Sequence, residues 1–275
     1  MDYKILVPID FTEISENALK YAIGAAKPLG TGICLLHIAD SEEKKISSME
    51  GLEALIYKYE GHGVSLKPIT TMGSIFETIA ETAEQEGVGI IFMGTHGMKG
   101  LQRLIGSNAL RVITKSKVPF VITQDRIPND NEINDIVVPI DMAKEDKQIL
   151  TSVIRSSHVF KAKVHLFVNK QKDEFNENAV ARNLAFSKKY LAEHEVNFTV
   201  SHTNGMDTFE NELIRFSQNI GADMIAIVNH HEGGLTNLLG NNFDQNVITN
   251  DAKIPVLIAN SVDNTTVDNI FGVFR

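Results

Sequence analysis

Cysteine is almost missing from this chain: Cys34 is the only one among 275 residues. A single thiol cannot close an intrachain disulfide, so a reducing compartment is expected. A surplus of positive charge is missing too. Lys and Arg number 26 against 35 Asp and Glu, a net charge of −9. That balance excludes the basic footprint of a general nucleic-acid binder and disfavours adhesion to anionic membranes. The longest apolar runs reach only about six residues, against the roughly 20 that cross a bilayer. The opening MDYKILVPIDFTE has no basic segment followed by an apolar core, so no secretory leader is expected. The expectation is a soluble cytoplasmic protein with neither nucleic acid nor membrane as partner.

Several catalytic signatures are absent as well. There is no Gly-x-x-x-x-Gly-Lys-Ser/Thr phosphate loop, no Gly-x-Ser-x-Gly nucleophile elbow and no His-Glu-x-x-His metal pair. The full Gly-x-Gly-x-x-Gly pattern is missing, which argues against a dehydrogenase. His230-His231-Glu232 invites a metal reading, but neighbouring residues at a strand end point apart and no third ligand is suitably spaced. A solvated loop is expected there, and no metal site. Cys34 lies inside an apolar stretch and reads as a buried, inert thiol. Glu81, Glu84 and Glu86 read as a solvated helix face.

What is present is an ordinary globular balance, 43% hydrophobic and 22% charged, over a length that suits about two domains. An internal repeat organises it. KILVPID at 4–10 is answered by DIVVPID at 135–141. GVGIIFMGTHGMKGLQRLIGS at 87–107 aligns without a gap on GADMIAIVNHHEGGLTNLLGN at 221–241, and KVPFVIT at 117–123 on KIPVLIA at 253–259. The unit is about 130 residues long, so this is domain duplication and not a short solenoid repeat. The boundaries read as a first domain at 1–124, a polar linker at 125–134 containing Pro128, a second domain at 135–260, and a tail at 261–275. Ile270, Phe271, Val273 and Phe274 make that tail too apolar to hang free, so it is expected to dock.

Each unit alternates strand and helix. Strands are expected at Ile5–Ile9, Ile33–Ile38, Val64–Thr70, Val88–Gly94 and Phe120–Thr123. The helices between them run from Thr12 or Ser15 to about Pro28, through 46–59, over Ser74–Glu86 and over Ser107–Lys115. The inward faces are expected to be Ile14, Ala18, Ala22 and Ala25; then Ile46, Met49, Leu52, Ile56 and Tyr59; then Ile75, Ile79 and Ala83. The second unit repeats the order, with strands near 136–140, 164–168, 197–202, 223–228 and 255–259. Such alternation implies parallel sheets with helices on both faces, an α/β doubly wound architecture.

Ligands of such sheets bind beyond the carboxyl ends of the strands, where strand order reverses. Asp10 ends the first strand, Gly94-Thr95-His96-Gly97 the fourth, and Gly106-Ser107-Asn108 opens the next helix. Glycine lets backbone N–H groups come close to a phosphate, and a helix N-terminus adds partial positive charge and unpaired donors. The set can form a phosphate cradle with Asp10 beside a ribose hydroxyl. Each part also has a plainer reading: glycines punctuate loops, and Ser107 or Asp10 can simply cap a helix.

The residues VPIDF (7–11), LLHIAD (35–40), MGTHG (93–97), GSNALRVI (106–113) and VPFVI (118–122) resemble the universal stress protein family. The resemblance covers most of residues 3–124. It implies tandem five-stranded sheets of the adenine nucleotide alpha hydrolase-like kind, with strand order 3-2-1-4-5, packed as an intramolecular pseudo-dimer. A homodimer of the whole chain is a further assembly that the resemblance leaves open. It further implies ATP or a related adenine nucleotide, with a divalent cation such as magnesium as companion, in a protein of the general stress response. Carried over, Pro8 and Asp10 stand on the nucleoside side, Ile38 at the adenine, and Met93 and Gly94 beside the nucleoside. Gly97, Gly106, Ser107 and Asn108 face the phosphates. Eight residues separate Gly97 from Gly106, where the family has about nine.

Unit two departs further. Val228 stands at Gly94, His231 at Gly97 and Asn241 at Ser107, while only Gly240 keeps its counterpart. A β-branched side chain blocks close approach of the backbone to a phosphate, so ordinary nucleotide binding is expected to be lost there. Three functions remain open: a regulatory nucleotide-binding module without catalytic residues, a slow ATP hydrolase using Asp10 and His96, and a nucleotide-free interaction scaffold.

Overall fold

The computed structural model of the chain describes residues 3–95, 113, 116, 118–126, 133–142, 146–229 and 242–260. They fall into two compact units, one up to residue 126 and one from residue 133.

In the first unit the elements run β1 (Tyr3–Pro8), α1 (Glu13–Leu29), β2 (Gly32–Ala39), α2 (Glu42–Tyr59), β3 (Leu66–Met72), α3 (Ile75–Gln85), β4 (Ile90–Gly94) and β5 (Phe120–Thr123). The strands pair in the order β3-β2-β1-β4-β5, every neighbouring pair parallel. This is the α/β architecture and strand order expected. Their near-continuous apolar runs follow from burial on both faces; Ile5, Leu6, Val7, Ile33, Cys34 and Leu35 are fully buried.

In the second unit they run β6 (Asp135–Ile140), α4 (Asp146–Phe160), β7 (Lys163–Val168), α5 (Glu174–Glu193), β8 (Phe198–His202), α6 (Phe209–Asn219), β9 (Met224–Asn229), α7 (Asn242–Ile248) and β10 (Val256–Asn260). Its order is β8-β7-β6-β9-β10, again parallel throughout. No helix among the described residues is long and apolar enough to cross a membrane.

Helix α1 starts where the Thr12 hydroxyl accepts the Ser15 N–H and stops at Gly30, whose left-handed backbone closes the last turn. Ala18, Ala22 and Ala25 face inward as expected, joined by Leu19 and Ile23. Two other faces turn out differently. On α2 the buried residues are Ser48, Leu52 and Tyr59, and Ile46 is 70% exposed. Positions 46 and 48 lie about 200° apart around a helix of 3.6 residues per turn, so a face centred on Ser48 and Leu52 turns Ile46 to solvent. On α3 Ile79 and Ala83 are buried, but Ile75 is half exposed. It sits in the first turn, level with the carboxyl ends of the strands, where the sheet beneath it ends.

The two sheets solve one packing position differently. Cys34 of β2 is in register with Lys67 of β3, and the matching pair in unit two is His165 and Thr199. Lys67 Nζ reaches Glu86 at 2.6 Å. Burial, with the nearby Glu86 charge, pushes the Cys34 thiol up to about 11. In unit two His165 Nε2 lies 2.6 Å from Asp135 Oδ1, and its Nδ1 lies 2.9 Å from the Thr199 hydroxyl.

Candidate functional site

The order β3-β2-β1-β4-β5 reverses between β1 and β4, which lie side by side through Ile5–Ile90 and Leu6–Ile91. The crevice of an open α/β sheet forms beyond the carboxyl ends of those two strands. Pro8 ends β1 in register with Leu36, and Asp10 lies two residues further, exposed. Met93 and Gly94 end β4 in register with Ile122 and Thr123. Ile38 lies near the end of β2, half-buried. Five of the expected site residues, Pro8, Asp10, Ile38, Met93 and Gly94, therefore share one rim. Gly97, Gly106, Ser107 and Asn108 lie outside the described residues, as do His96, the His230–Glu232 run and the tail. Of the helix expected over 107–115, only Ile113 is described, helical and buried.

Asp10 does not cap α1; Thr12 does. One carboxylate oxygen of Asp10, Oδ1, accepts both the Thr12 N–H at 3.0 Å and the Thr12 hydroxyl at 2.6 Å. The Asp10 N–H in turn donates to the Ser15 hydroxyl at 3.4 Å. This local turn orients the carboxylate before any ligand arrives.

Gly94 has a packing reason of its own. A Cβ there would lie 2.5 Å from the Ile14 carbonyl oxygen and 2.8 Å from its carbon. The first turn of α1 thus presses on the end of β4, and glycine is what lets it. Thr95 continues the rim, buried, with its N–H on the Thr123 carbonyl at 2.8 Å.

Three residues that sequence reasoning passed over shape the same rim. Phe11 has a left-handed backbone, φ 62°. Its ring stands 4.8 Å from the His37 ring, and His37 Nδ1 lies 2.7 Å from the Ile9 carbonyl, which makes that nitrogen the proton-bearing one. A Cβ on Gly51 would come within 2.8 Å of the Phe11 ring. The one signal available was Gly51 itself, an isolated glycine inside a helical pattern, which costs about 1 kcal/mol against alanine unless close approach demands it.

Beside Phe11, between α1 and α2, lies a cavity of about 240 Å³ lined by Ile9, Thr12, Ser15, Leu55 and the Glu16–Lys58 pair. Burial works to raise the Glu16 pKa, but hydrogen bonds from Lys58 and Tyr59 and the Lys58 charge outweigh it and hold the carboxyl below its ordinary value. No group of three His, Cys, Asp or Glu side chains among the described residues is placed to hold a metal ion.

At the carboxyl ends of β6 and β9 in unit two, Pro139, Asp141, Ile149, Val228 and Phe243 line a cavity of about 20 Å³. Val228 is 4% exposed. The Phe243 ring stacks on Phe209 at 5.5 Å, Phe209 on Phe167 at 6.0 Å, and Phe167 on Phe216 at 4.7 Å.

Comparison with known proteins agrees with this architecture. The sequence model of the Universal stress protein family matches residues 2–124. A universal stress protein of Methanocaldococcus jannaschii is 30% identical, over 44% of this chain and 94% of the relative. One of Bacillus subtilis is 26% identical, over 44% of this chain and 98% of the relative. The crystal structure of a universal stress protein from Archaeoglobus fulgidus matches 94% of this chain and 97% of its own, at 20% identity and a TM-score of 0.76. Similarity spanning nearly the whole length of those relatives, on the strand order seen here, means that the chain belongs to the universal stress protein family.

Proposed function

We propose that unit one binds ATP or a related adenine nucleotide, with a divalent cation, at the rim between β1 and β4. The observation that carries this reading is the exposed Asp10 carboxylate, oriented by Thr12 at the point where strand order reverses. Family membership adds the expectation of a nucleoside beside Pro8, Ile38, Met93 and Gly94. Phosphates would meet the backbone of Gly97, Gly106, Ser107 and Asn108. The second unit acts as a scaffold, with Val228 standing where unit one has Gly94.

The activity is regulatory binding in a cytoplasmic stress response, not turnover. The slow-hydrolase alternative would need Asp10 and His96 to act together, and His96 lies outside the described residues. Calorimetric titration of the full chain with ATP and magnesium tests the proposal. Saturable binding lost in Asp10→Ala and unchanged in Asp141→Ala is expected. No heat of binding at millimolar nucleotide refutes it. The second reading, a nucleotide-free scaffold, is favoured by Gly94, whose missing side chain the Ile14 carbonyl already explains.

A further inference from the structure

Four described residues other than glycine have positive φ: Phe11, Lys161, Glu195 and Lys253. Lys161 and Glu195 lie just past helices, where left-handed backbone closes the last turn, and Lys253 lies in the connection between α7 and β10. Phe11 alone among them follows a strand, next to the carboxylate on which the proposed site depends. A bulky side chain rarely takes this conformation, and such strain persists only where surroundings over-determine it. Here two contacts bear on the ring, which is otherwise half exposed. The ring is held against His37, itself anchored on the Ile9 carbonyl. On its other side it fills the space that a side chain at position 51 would occupy.

We infer that Phe11 is a positioning residue for the nucleotide site: its left-handed backbone, wedged between His37 and Gly51, presents the Asp10 carboxylate at the rim. The inference rests on the nucleotide reading above and says how that site is held ready. The reversal at Phe11 is what brings Thr12 back under Asp10, so that Oδ1 accepts both the Thr12 N–H and hydroxyl. If the chain at Phe11 relaxes to negative φ, that turn opens and the binding-competent fraction falls. Apparent affinity then falls by the same fraction.

The test is ATP–magnesium calorimetry on the full chain as wild type, Phe11→Ala, Phe11→Gly, Gly51→Ala, and Gly51→Ala combined with Phe11→Gly. Alanine keeps the left-handed penalty and loses the wedge, so Phe11→Ala is expected to weaken binding about fivefold, the order of that penalty. Glycine takes positive φ freely, so Phe11→Gly is expected to stay within about twofold of wild type. Gly51→Ala, which displaces the ring, is expected to weaken binding about threefold in the wild-type background and not at all beside Phe11→Gly, a coupling a double-mutant cycle reads directly. A merely structural role gives another pattern: melting temperature drops in both Phe11 variants while affinity holds. Equal affinity across the series, or equal loss in Phe11→Ala and Phe11→Gly, overturns the positioning role while leaving the nucleotide reading intact. A wild-type chain that takes up no nucleotide overturns both.

Discussion

Replacing Gly94 with alanine separates two explanations for the same residue. The backbone there does not have positive φ, so alanine carries no torsional penalty. In an unobstructed strand the change would stabilise by about 0.5–1 kcal/mol, since glycine loses more conformational freedom on folding. The structure reverses that sign. The added methyl would sit 2.5 Å from the Ile14 carbonyl oxygen and 2.9 Å from the Ile14 Cγ2. The nearest obstacle is helix backbone, which cannot rotate away, so α1 must lift off the end of β4. Overpacking of this kind costs typically 1–3 kcal/mol, and a net loss of about 2 kcal/mol is expected. For a unit of this size that lowers the melting temperature by roughly 5–10 °C. Differential scanning calorimetry without nucleotide is the assay, read as two transitions if the units melt separately. A melting temperature unchanged or raised refutes the packing argument. If nucleotide binding vanished at the same time, Gly94 would be there for the ligand alone.

Three further outcomes follow from the same contacts. Phe243→Ala removes one end of the phenylalanine stack in unit two and is expected to cost about 2–4 kcal/mol in urea unfolding; a cost under about 0.5 kcal/mol means that the stack adds little to the unit's stability. The Cys34 pKa is raised in the folded chain, from 9.0 to about 11, so the folded state holds its proton more tightly. Stability should therefore fall as pH rises from about 9 to 11, by at most roughly 2–3 kcal/mol. Cys34→Ala should flatten that limb, and an unchanged slope sinks the attribution. The lowered Glu16 pKa acts at the other end: its contribution is present above about pH 4.5 and lost as pH falls through the folded value. Glu16→Gln should shrink the acid-side loss by up to about 1 kcal/mol, the scale of a partly exposed ion pair, when melting is compared between pH 6 and pH 3.

Duplication, the alternation of strand and helix, and the position of Asp10 and Gly94 at strand ends were all legible in the sequence. Each is a local signal: a repeated string, an apolar run, a period, a glycine after a strand. The helix faces were legible where the apolar stripe was unbroken, as in Ala18, Ala22 and Ala25, and misleading on α2. There, Ile46 and Ser48 compete, and the sheet, not hydrophobicity, decides which one turns inward. The loss of glycine at Val228 was legible too, but the phenylalanine stack of unit two was not. Phe243 lies far along the chain from Phe167, and only folding stacks their neighbours.

The amino-acid order by itself determined the class of sheet and the rim on which chemistry could occur, because these depend on patterns within about 15 residues, and its doubling, because the same strings recur about 130 residues apart. Tertiary structure alone decided why Gly94 must be glycine, why Phe11 is held left-handed and which rings stack in unit two. Each of these depends on an atom from a distant segment, such as Ile14 beneath β4 or Gly51 behind Phe11, and no local pattern records which distant atoms will meet.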